Sequence, residues 1–158
     1  MTSAYTYIVT IGVLMLIGMS SAYLFLQQVN VITNVGQRNA LAVAASHVLA
    51  GMWSAVEEAK LVPGGGVEYK AISVGFPIRA EIGTSPRTGQ LSLCVTAFGT
   101  FYERPLPQLP RVTYRPSGSG GEAVTARASV SGESIEITLG NVDRNGQFTE
   151  GRPTECLR

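Results

Sequence analysis

The residue types that carry most enzymatic chemistry are scarce in this sequence. His47 is its one histidine and Asp143 its one aspartate. A Ser-His-Asp triad would need both of them beside a serine, and no Gly-x-Ser-x-Gly elbow surrounds any serine. Nothing in the spacing of the glutamates singles out a pair for glycoside chemistry. We therefore expect no catalytic residues, and we assign His47 to packing or to the surface of a helix.

Residue patterns that bind metals, phosphates or nucleic acids are equally scarce. Histidines, cysteines and aspartates do not cluster as metal ligands do, so we expect no metal and no cofactor. The run Gly64-Gly65-Gly66 lacks the Lys-Ser/Thr pair of a phosphate-binding loop and follows a helical pattern, so we interpret it as a helix terminator and a flexible neck. The 12 Lys and Arg residues against 11 Asp and Glu give a net charge of +1. That balance provides no signature of nucleic-acid binding.

The two cysteines, Cys94 and Cys156, both fall in the charged part of the chain. An even count beyond a hydrophobic segment favours a disulfide formed in an oxidising compartment. The other interpretation is two separate buried thiols.

The chain has two parts of different composition, and the secondary-structure elements of these parts would position any functional site. Residues 1–37 contain no Lys, Arg, Asp or Glu, and Arg38 is the first charged residue. Within them, the segment of about residues 4–26 has the roughly 20 apolar residues that cross a bilayer. A secretory signal cleaved at Ala22 is the alternative, although no basic residue precedes the apolar run. The positive-inside rule alone would keep the C-terminal side in the cytoplasm, whereas the cysteines favour the outside; we follow the cysteines.

The helical pattern continues beyond this apolar segment. Across residues 38–61, apolar residues recur three and four positions apart, which predicts an amphipathic helix. We expect five of them to pack the helix onto the rest of the chain: Leu41, Ala45, Val48, Met52 and Val56. Pro63 and the glycines after it end the pattern. A helix from about Ala4 to Leu61 would be about 85 Å long at 1.5 Å per residue.

From Val67 onward the apolar period changes to two, which predicts strands with one buried face. The clearest stretches are Phe76–Ile82, Leu91–Tyr102, Val124–Val130 and Ile135–Leu139. We interpret Pro116–Gly121 as a turn and Ser131-Gly132-Glu133 as a hairpin loop. The sequence therefore predicts an α+β fold. A long N-terminal helix over residues 1–62 packs on an antiparallel sheet or small sandwich of five to seven strands, which forms a β-rich head domain over residues 63–158.

This organisation resembles archaeal type IV pilins and archaellins. The run Tyr23-Leu24-Phe25-Leu26-Gln27-Gln28, followed by polar residues and the Ala-rich stretch Ala42–Ala50, is similar to an archaellin N-terminus. The resemblance implies that the apolar helices bundle in a filament core while the β-rich domains coat the outside, at the cell surface. The residues expected to pack between helices are Ile8, Ile11, Gly12, Leu14, Met15, Gly18, Ala22 and Phe25.

Three functions follow from these observations, and the sequence leaves them open. The first is a structural, non-enzymatic subunit whose partners are other copies of itself, membrane lipid before assembly, and the pilus or archaellum assembly machinery. The second is an anchored subunit that does not polymerise, like an archaellum stator or a minor pilin. The third is an anchored ectodomain with binding activity. The sequence does not distinguish between motility, adhesion and DNA uptake as the role of such an appendage.

Overall fold

The computed structural model describes residues 2–62 and 65–151, with side chains described from residue 9 onward. One helix, α1, spans Thr2–Lys60 and is followed by seven strands. These are β1 (Val67–Thr84), β2 (Leu91–Ala97), β3 (Thr100–Pro105), β4 (Val112–Tyr114), β5 (Ser117–Ser131), β6 (Ser134–Val142) and β7 (Phe148–Glu150). The predicted α+β fold, with a long N-terminal apolar helix and a sheet, is confirmed.

The chain divides into two compact units, residues 1–37 and residues 38–158. The sequence-based boundary at residues 62 and 63 marks the end of the helix, whereas the division by packing falls inside it. Residues 38–60 of α1 therefore belong to the same unit as the sheet. The reason is that this half of the helix shares a hydrophobic core with the strands.

The seven strands form one sheet in the order β3-β2-β1-β5-β6-β4, with β7 also paired to β6. Neighbours are antiparallel except for β4, which runs parallel to β6 through the pairs Val112↔Ile135 and Tyr114↔Ile137. The prediction of a purely antiparallel sheet is wrong at this one pairing. A parallel neighbour needs a crossover, and here the chain between β4 and β6 contains the whole of β5.

The glycine-rich stretch predicted as a turn is in fact the first part of β5. It pairs with the second half of β1, from Ile82↔Ser117 to Ile78↔Gly121, and the register then shifts at a bulge between Ser73 and Ile78 of β1. A Cβ at Gly151 would overlap the backbone of Gly118, so a glycine at position 151 lets the chain after β7 lie against this part of β5. Close approach of another backbone is one of the reasons for glycine in a strand.

The stretch predicted as one strand over Leu91–Tyr102 is a hairpin. The chain reverses at Phe98 and Gly99, whose φ angles are 54° and 69°, and β2 then pairs with β3 through Ala97↔Thr100 and Val95↔Tyr102. Two successive residues with positive φ give the turn that matches the twist of paired strands. The hairpin predicted at Ser131-Gly132-Glu133 is confirmed by the pair Ser131↔Ser134 of β5 and β6.

The glycines after the helix are held in place rather than forming a flexible neck. The carbonyl of Gly66 accepts a hydrogen bond of 2.8 Å from the backbone N–H of Val130 in β5. Gly65 has a φ of 94° and lies too close to the carbonyl of Val130 for a Cβ. Gly64 lies outside the described residues. Two of the three glycines therefore join the end of the helix to the sheet.

Candidate membrane and assembly surface

The described side chains of the first unit, from residue 9 onward, belong to one helix, and its apolar side chains have no cover among them. Leu14, Met15, Leu16 and Ile17 are 57–66% exposed. Successive residues on an α-helix point about 100° apart, so these four side chains face every side of the helix. A helix that is apolar all round belongs in a lipid or protein interior.

Two hydroxyl groups of this segment are satisfied by the helix itself. The hydroxyl of Ser20 donates a hydrogen bond of 2.8 Å to the carbonyl of Leu16, and Thr33 makes the same bond to Val29. Such bonds to a carbonyl four residues earlier let hydroxyls enter an apolar environment without an unpaired donor. An 18-residue window of the helix reaches a mean hydropathy of 2.0, and none of its residues is buried. By length and composition, the N-terminal helix can therefore cross a membrane.

The residues predicted to pack between helices all lie in this first unit. Ile11 is 37% exposed, and Leu14, Met15 and Phe25 are 62–65% exposed. A Cβ added at Gly12 or Gly18 would meet no atom within 4 Å, and Ala22 is exposed. The side chain of Ile8 lies outside the described residues. All the described members of this set are accessible, and their contacts with a second copy stay a prediction.

The residues predicted to pack the helix on the head lie in the second unit and are fully buried. Their exposed fraction is 0% in every case: Leu41, Ala45, Val48, Met52 and Val56. They share one core with sheet residues that include Ile82, Val95 and Leu139. Full burial of a large apolar side chain stabilises a fold by roughly 1.5–3 kcal/mol, so this face holds the helix to the sheet.

Sequence reasoning missed the small residues of the same helix face. Ala44, Ala55 and Ala59 are at most 1% exposed, and Gly51 lies against Ile72 of β1 so closely that a Cβ would overlap it. Their spacing from the predicted positions is three or four residues, which is the signal that could have found them. They let the helix and the sheet approach closely.

Side-chain hydrogen bonds at the edges of the buried face of α1 connect the helix to two strands. Lys70 of β1 donates a hydrogen bond of 2.6 Å to the carboxylate of Glu58, which also accepts one of 3.1 Å from Ser54. The bond from Lys70 lowers the pKa of Glu58 below its ordinary value, and the bond from Ser54 acts in the same direction. Arg104 of β3 donates to the hydroxyl of Ser46 at 2.9 Å.

Asp143 and His47, the two residues considered for a triad, each have a local structural setting that explains their presence. The carboxylate of Asp143 accepts hydrogen bonds of 2.8 Å from the backbone N–H groups of Asn145 and Gln147, which organise the turn between β6 and β7. His47 is exposed on α1 and lines a shallow groove with Val43 and Phe76. No charged side chain among the described residues lines the groove, and Val74 and Phe76 of β1 form part of its wall.

One of the two cysteines predicted to form a disulfide lies among the described residues. Cys94 is 3% exposed in β2, and no cysteine among the described residues is free. Cys156 lies outside the described residues. The pairing of Cys94 with Cys156 therefore stays a prediction.

Comparison of the chain with protein-family models, with curated proteins and with solved structures finds no match. The resemblance to archaeal pilins and archaellins thus rests on the organisation of this chain alone. What the structure establishes is the coarser description, an exposed apolar N-terminal helix in one unit and a helix-backed β-sheet in the other.

Proposed function

We propose that this chain is a structural subunit of a cell-surface filament of the type IV pilus or archaellum kind. It inserts into a membrane through its N-terminal helix and then polymerises through the same helix. The role is mechanical and not enzymatic. The partners are other copies of this chain, membrane lipid before assembly, and the machinery that moves subunits from lipid into the filament.

The observation that carries the proposal is the uncovered apolar surface of residues 9–35. Sixteen large hydrophobic side chains in this range are exposed, whereas the second unit covers its own core. A surface of this size far exceeds the apolar patches that soluble monomers tolerate. It requires an apolar environment, and lipid and neighbouring helices are the two that a helix without charges can occupy in turn.

The small residues of the helix support packing against neighbouring helices. Gly12, Gly18 and Ala22 leave open space on the helix. Helices that associate within a membrane gain stability from close backbone approach, which small residues permit. The same surface suits a bundle of parallel copies.

The test is to shear surface filaments from cells that make this chain, image them by electron microscopy and identify their protein by mass spectrometry. We expect filaments in which this chain is the major component. Filaments that lack it, or contain it only as a trace, would contradict the proposal and favour an anchored, stator-like or minor subunit. The absence of any filament would do the same.

A substitution at Gly18 examines the role of close helix packing. Gly18→Leu fills space that a neighbouring helix would occupy, so we expect far fewer filaments while the chain still inserts into membranes. Met19→Leu, which keeps the side-chain volume nearly unchanged, is the matched control and should assemble normally. Equal filament yields from both variants would remove Gly18 from the packing surface.

We also propose that Cys94 and Cys156 form a disulfide outside the cytoplasm. A loop of this length would stabilise the second unit by roughly 4 kcal/mol on loop-closure grounds. Peptide mapping of the native chain without reductant should recover the two cysteine-containing peptides as one linked species. Two separate thiol peptides would contradict the pairing.

A further inference from the structure

The sheet has a second face, the outer face, which is turned away from α1 and on which two side chains are buried together. In β1, Ala80 and Ile82 point into the core that the sheet shares with the helix, so Glu81 between them points to the outer face. The side chain of Glu81 is only 5% exposed. Cys94 of β2 lies directly opposite Glu81 and is 3% exposed. Paired residues of antiparallel strands point to the same face, so a carboxylate and a cysteine are buried side by side there.

The described helix and strands do not supply the cover over this pair. α1 packs on the other face, every strand lies within the sheet, and the turn between β1 and β2 begins three residue pairs farther along. Arg79 forms an ion pair with Glu81, but its own side chain is 53% exposed, so it covers the carboxylate only in part. Because these exposed fractions are those of one chain alone, the rest of the cover belongs to the same chain.

The last described residue, Gly151, lies beside this pair. Gly118 of β5 is opposite Glu81 on the other side of β1, and a Cβ at Gly151 would overlap the backbone of Gly118. Gly151 and Glu81 also line one groove, which has a volume of about 260 Å³. Gly118, Glu81 and Cys94 therefore form one row across three strands, and the chain after Gly151 starts at the Gly118 end of that row.

The length of chain between Gly151 and Cys156 fits the distance to Cys94. Adjacent strands are about 4.8 Å apart, so Cys94 lies roughly 10 Å from Gly118 along the row. The five residues 152–156 reach at most about 17 Å when they are extended. The shortest path from Gly151 to Cys94 passes directly over Glu81.

The residue types of this segment suit a path across the face of a sheet. Arg152 supplies a cation at the start of the path, next to the carboxylate of Glu81, and a buried carboxylate needs such partners. Pro153 has no backbone N–H to donate to a ladder, so it does not favour continuing β7 as a paired strand. Charge and backbone chemistry both favour residues 152–156 as the cover.

We propose that residues 152–156 form a strap across the outer face, from Gly151 over Glu81 to Cys94, and that a disulfide between Cys94 and Cys156 locks it. The strap crosses β5 and β1, so it ties the end of β7 to β2 across strands that are otherwise joined by backbone hydrogen bonds. This inference rests on the proposed disulfide and adds the path of the segment, the surface that it covers and the redox control of that cover.

Locking the strap is a thiol–disulfide exchange. Each of the two cysteines loses one proton and one electron as the S–S bond between them forms. A disulfide-bearing oxidant accepts both electrons and both protons, and its own S–S bond breaks to give two thiols. Reduction reverses the exchange and releases the cover over Glu81.

The experiment is carboxyl footprinting of the full chain in detergent with a water-soluble carbodiimide and glycine ethyl ester, measured by mass spectrometry of its peptides. In the oxidised chain we expect Glu81 to be labelled at least tenfold more slowly than Glu133, whose side chain is 81% exposed. In Cys156→Ser, labelling of Glu81 should rise at least fivefold, with that of Glu133 unchanged. The matched control Leu157→Ser keeps both cysteines and should label like the oxidised wild type.

The fluorescence of Trp53 on thermal unfolding verifies that the variants fold, and wild type treated with a reductant gives the same comparison without a substitution. Equal labelling of Glu81 with and without the disulfide, whether fast or slow, would overturn the strap and leave the proposed disulfide and the proposed filament standing. Recovery of the native cysteines as two separate thiol peptides would overturn the disulfide and the strap together, without affecting the filament.

Discussion

The two halves of α1 contain the same kinds of side chain and have opposite surroundings. Met15 is 63% exposed and Met52 is 0% exposed, and Val13 at 49% contrasts with Val48 at 0%. Each pair has the same residue type in the same secondary structure. What differs is whether the unit itself provides the covering surface: for one face of residues 41–59 the sheet does, and for the described residues 9–35 nothing in their unit does.

The difference also appears in the polar residues. The covered half has its charges at the edges, where Lys60 pairs with Glu57 at 2.9 Å and Lys70 with Glu58 at 2.6 Å. The uncovered half has no charge at all. A helix in water needs a polar face, and residues 9–26 have none. The comparison indicates that the apolar side chains of residues 9–35 have no cover within their own unit.

The largest effect should come from shortening the two methionines. Met52→Ala leaves a cavity in the core of the second unit and should lower its free energy of unfolding by about 2–5 kcal/mol. Met15→Ala should change the same quantity by less than about 0.5 kcal/mol, as an exposed substitution does. Trp53, the one tryptophan, reports on this unit by fluorescence during chemical unfolding in detergent. Equal losses in the two variants would break the comparison.

A charge in the uncovered half should affect insertion and not the stability of the sheet. Met15→Lys places an ammonium group in the middle of the proposed span, which costs about 2.5–3.5 kcal/mol on scales of membrane insertion. We expect a marked fall in the membrane-bound fraction after carbonate extraction, with Met15→Leu unchanged. Normal insertion and assembly of Met15→Lys would show that this half does not enter the bilayer.

A smaller effect is expected where one hydroxyl connects two strands. Ser117 is 1% exposed, accepts a hydrogen bond of 2.8 Å from the N–H of Leu139 and donates one of 2.9 Å to the carbonyl of Arg115. Ser117→Ala leaves a buried N–H unpaired, so the second unit should lose about 1–3 kcal/mol of stability. The exposed Ser134→Ala is the control, with an expected change below about 0.5 kcal/mol. A neutral result for Ser117→Ala would mean that Leu139 finds another acceptor.

The smallest effect concerns pH. The hydrogen bond from Lys70 lowers the pKa of Glu58 in the folded chain, so the stabilisation is present above the unfolded-state pKa of this carboxyl. It is lost as the pH falls through the lower folded-state pKa. Lys70→Met should therefore destabilise the second unit slightly at neutral pH and not at strongly acidic pH, while Lys70→Arg keeps a donor and stays close to wild type. A difference between wild type and Lys70→Met that grows on acidification would contradict the sign.

The helix and its covered face were open to prediction because they depend on local period. Leu41, Val48 and Met52 recur at helical spacing, and large apolar residues at that spacing are a strong signal. Alanines on the same face, such as Ala55, carry a weaker one. The alternation likewise predicted residues 76–82 of β1, 124–130 of β5 and 135–139 of β6.

The misassigned parts depend on contacts between residues distant in the sequence. Ser117–Gly121 has the composition of a turn, and only its pairing with Ile78–Ile82 makes it a strand. The reversal at Phe98 was hidden because an aromatic residue is not a turn signal, although its φ is positive. The parallel pairing of β4 with β6 has no local signature. In all three places, pairing with residues distant in the sequence overrides the local secondary-structure propensity.

The exposed half of the helix was predictable as a segment, since its length and lack of charge identify it, but the sequence did not give what covers it, which we propose to be lipid and then other copies of the chain. The measurement that tests this most directly is the accessibility of Leu16→Cys, at a position 66% exposed in the single chain, to a water-soluble maleimide in intact membranes and filaments. Glu133→Cys, at a side chain 81% exposed, is the reference, and unmodified chain gives the background. We predict that Cys at position 133 is labelled rapidly and Cys at position 16 at least tenfold more slowly, until detergent and denaturant expose it. Equal labelling at the two positions in intact material would contradict the account, because residues 9–35 would then lie in water.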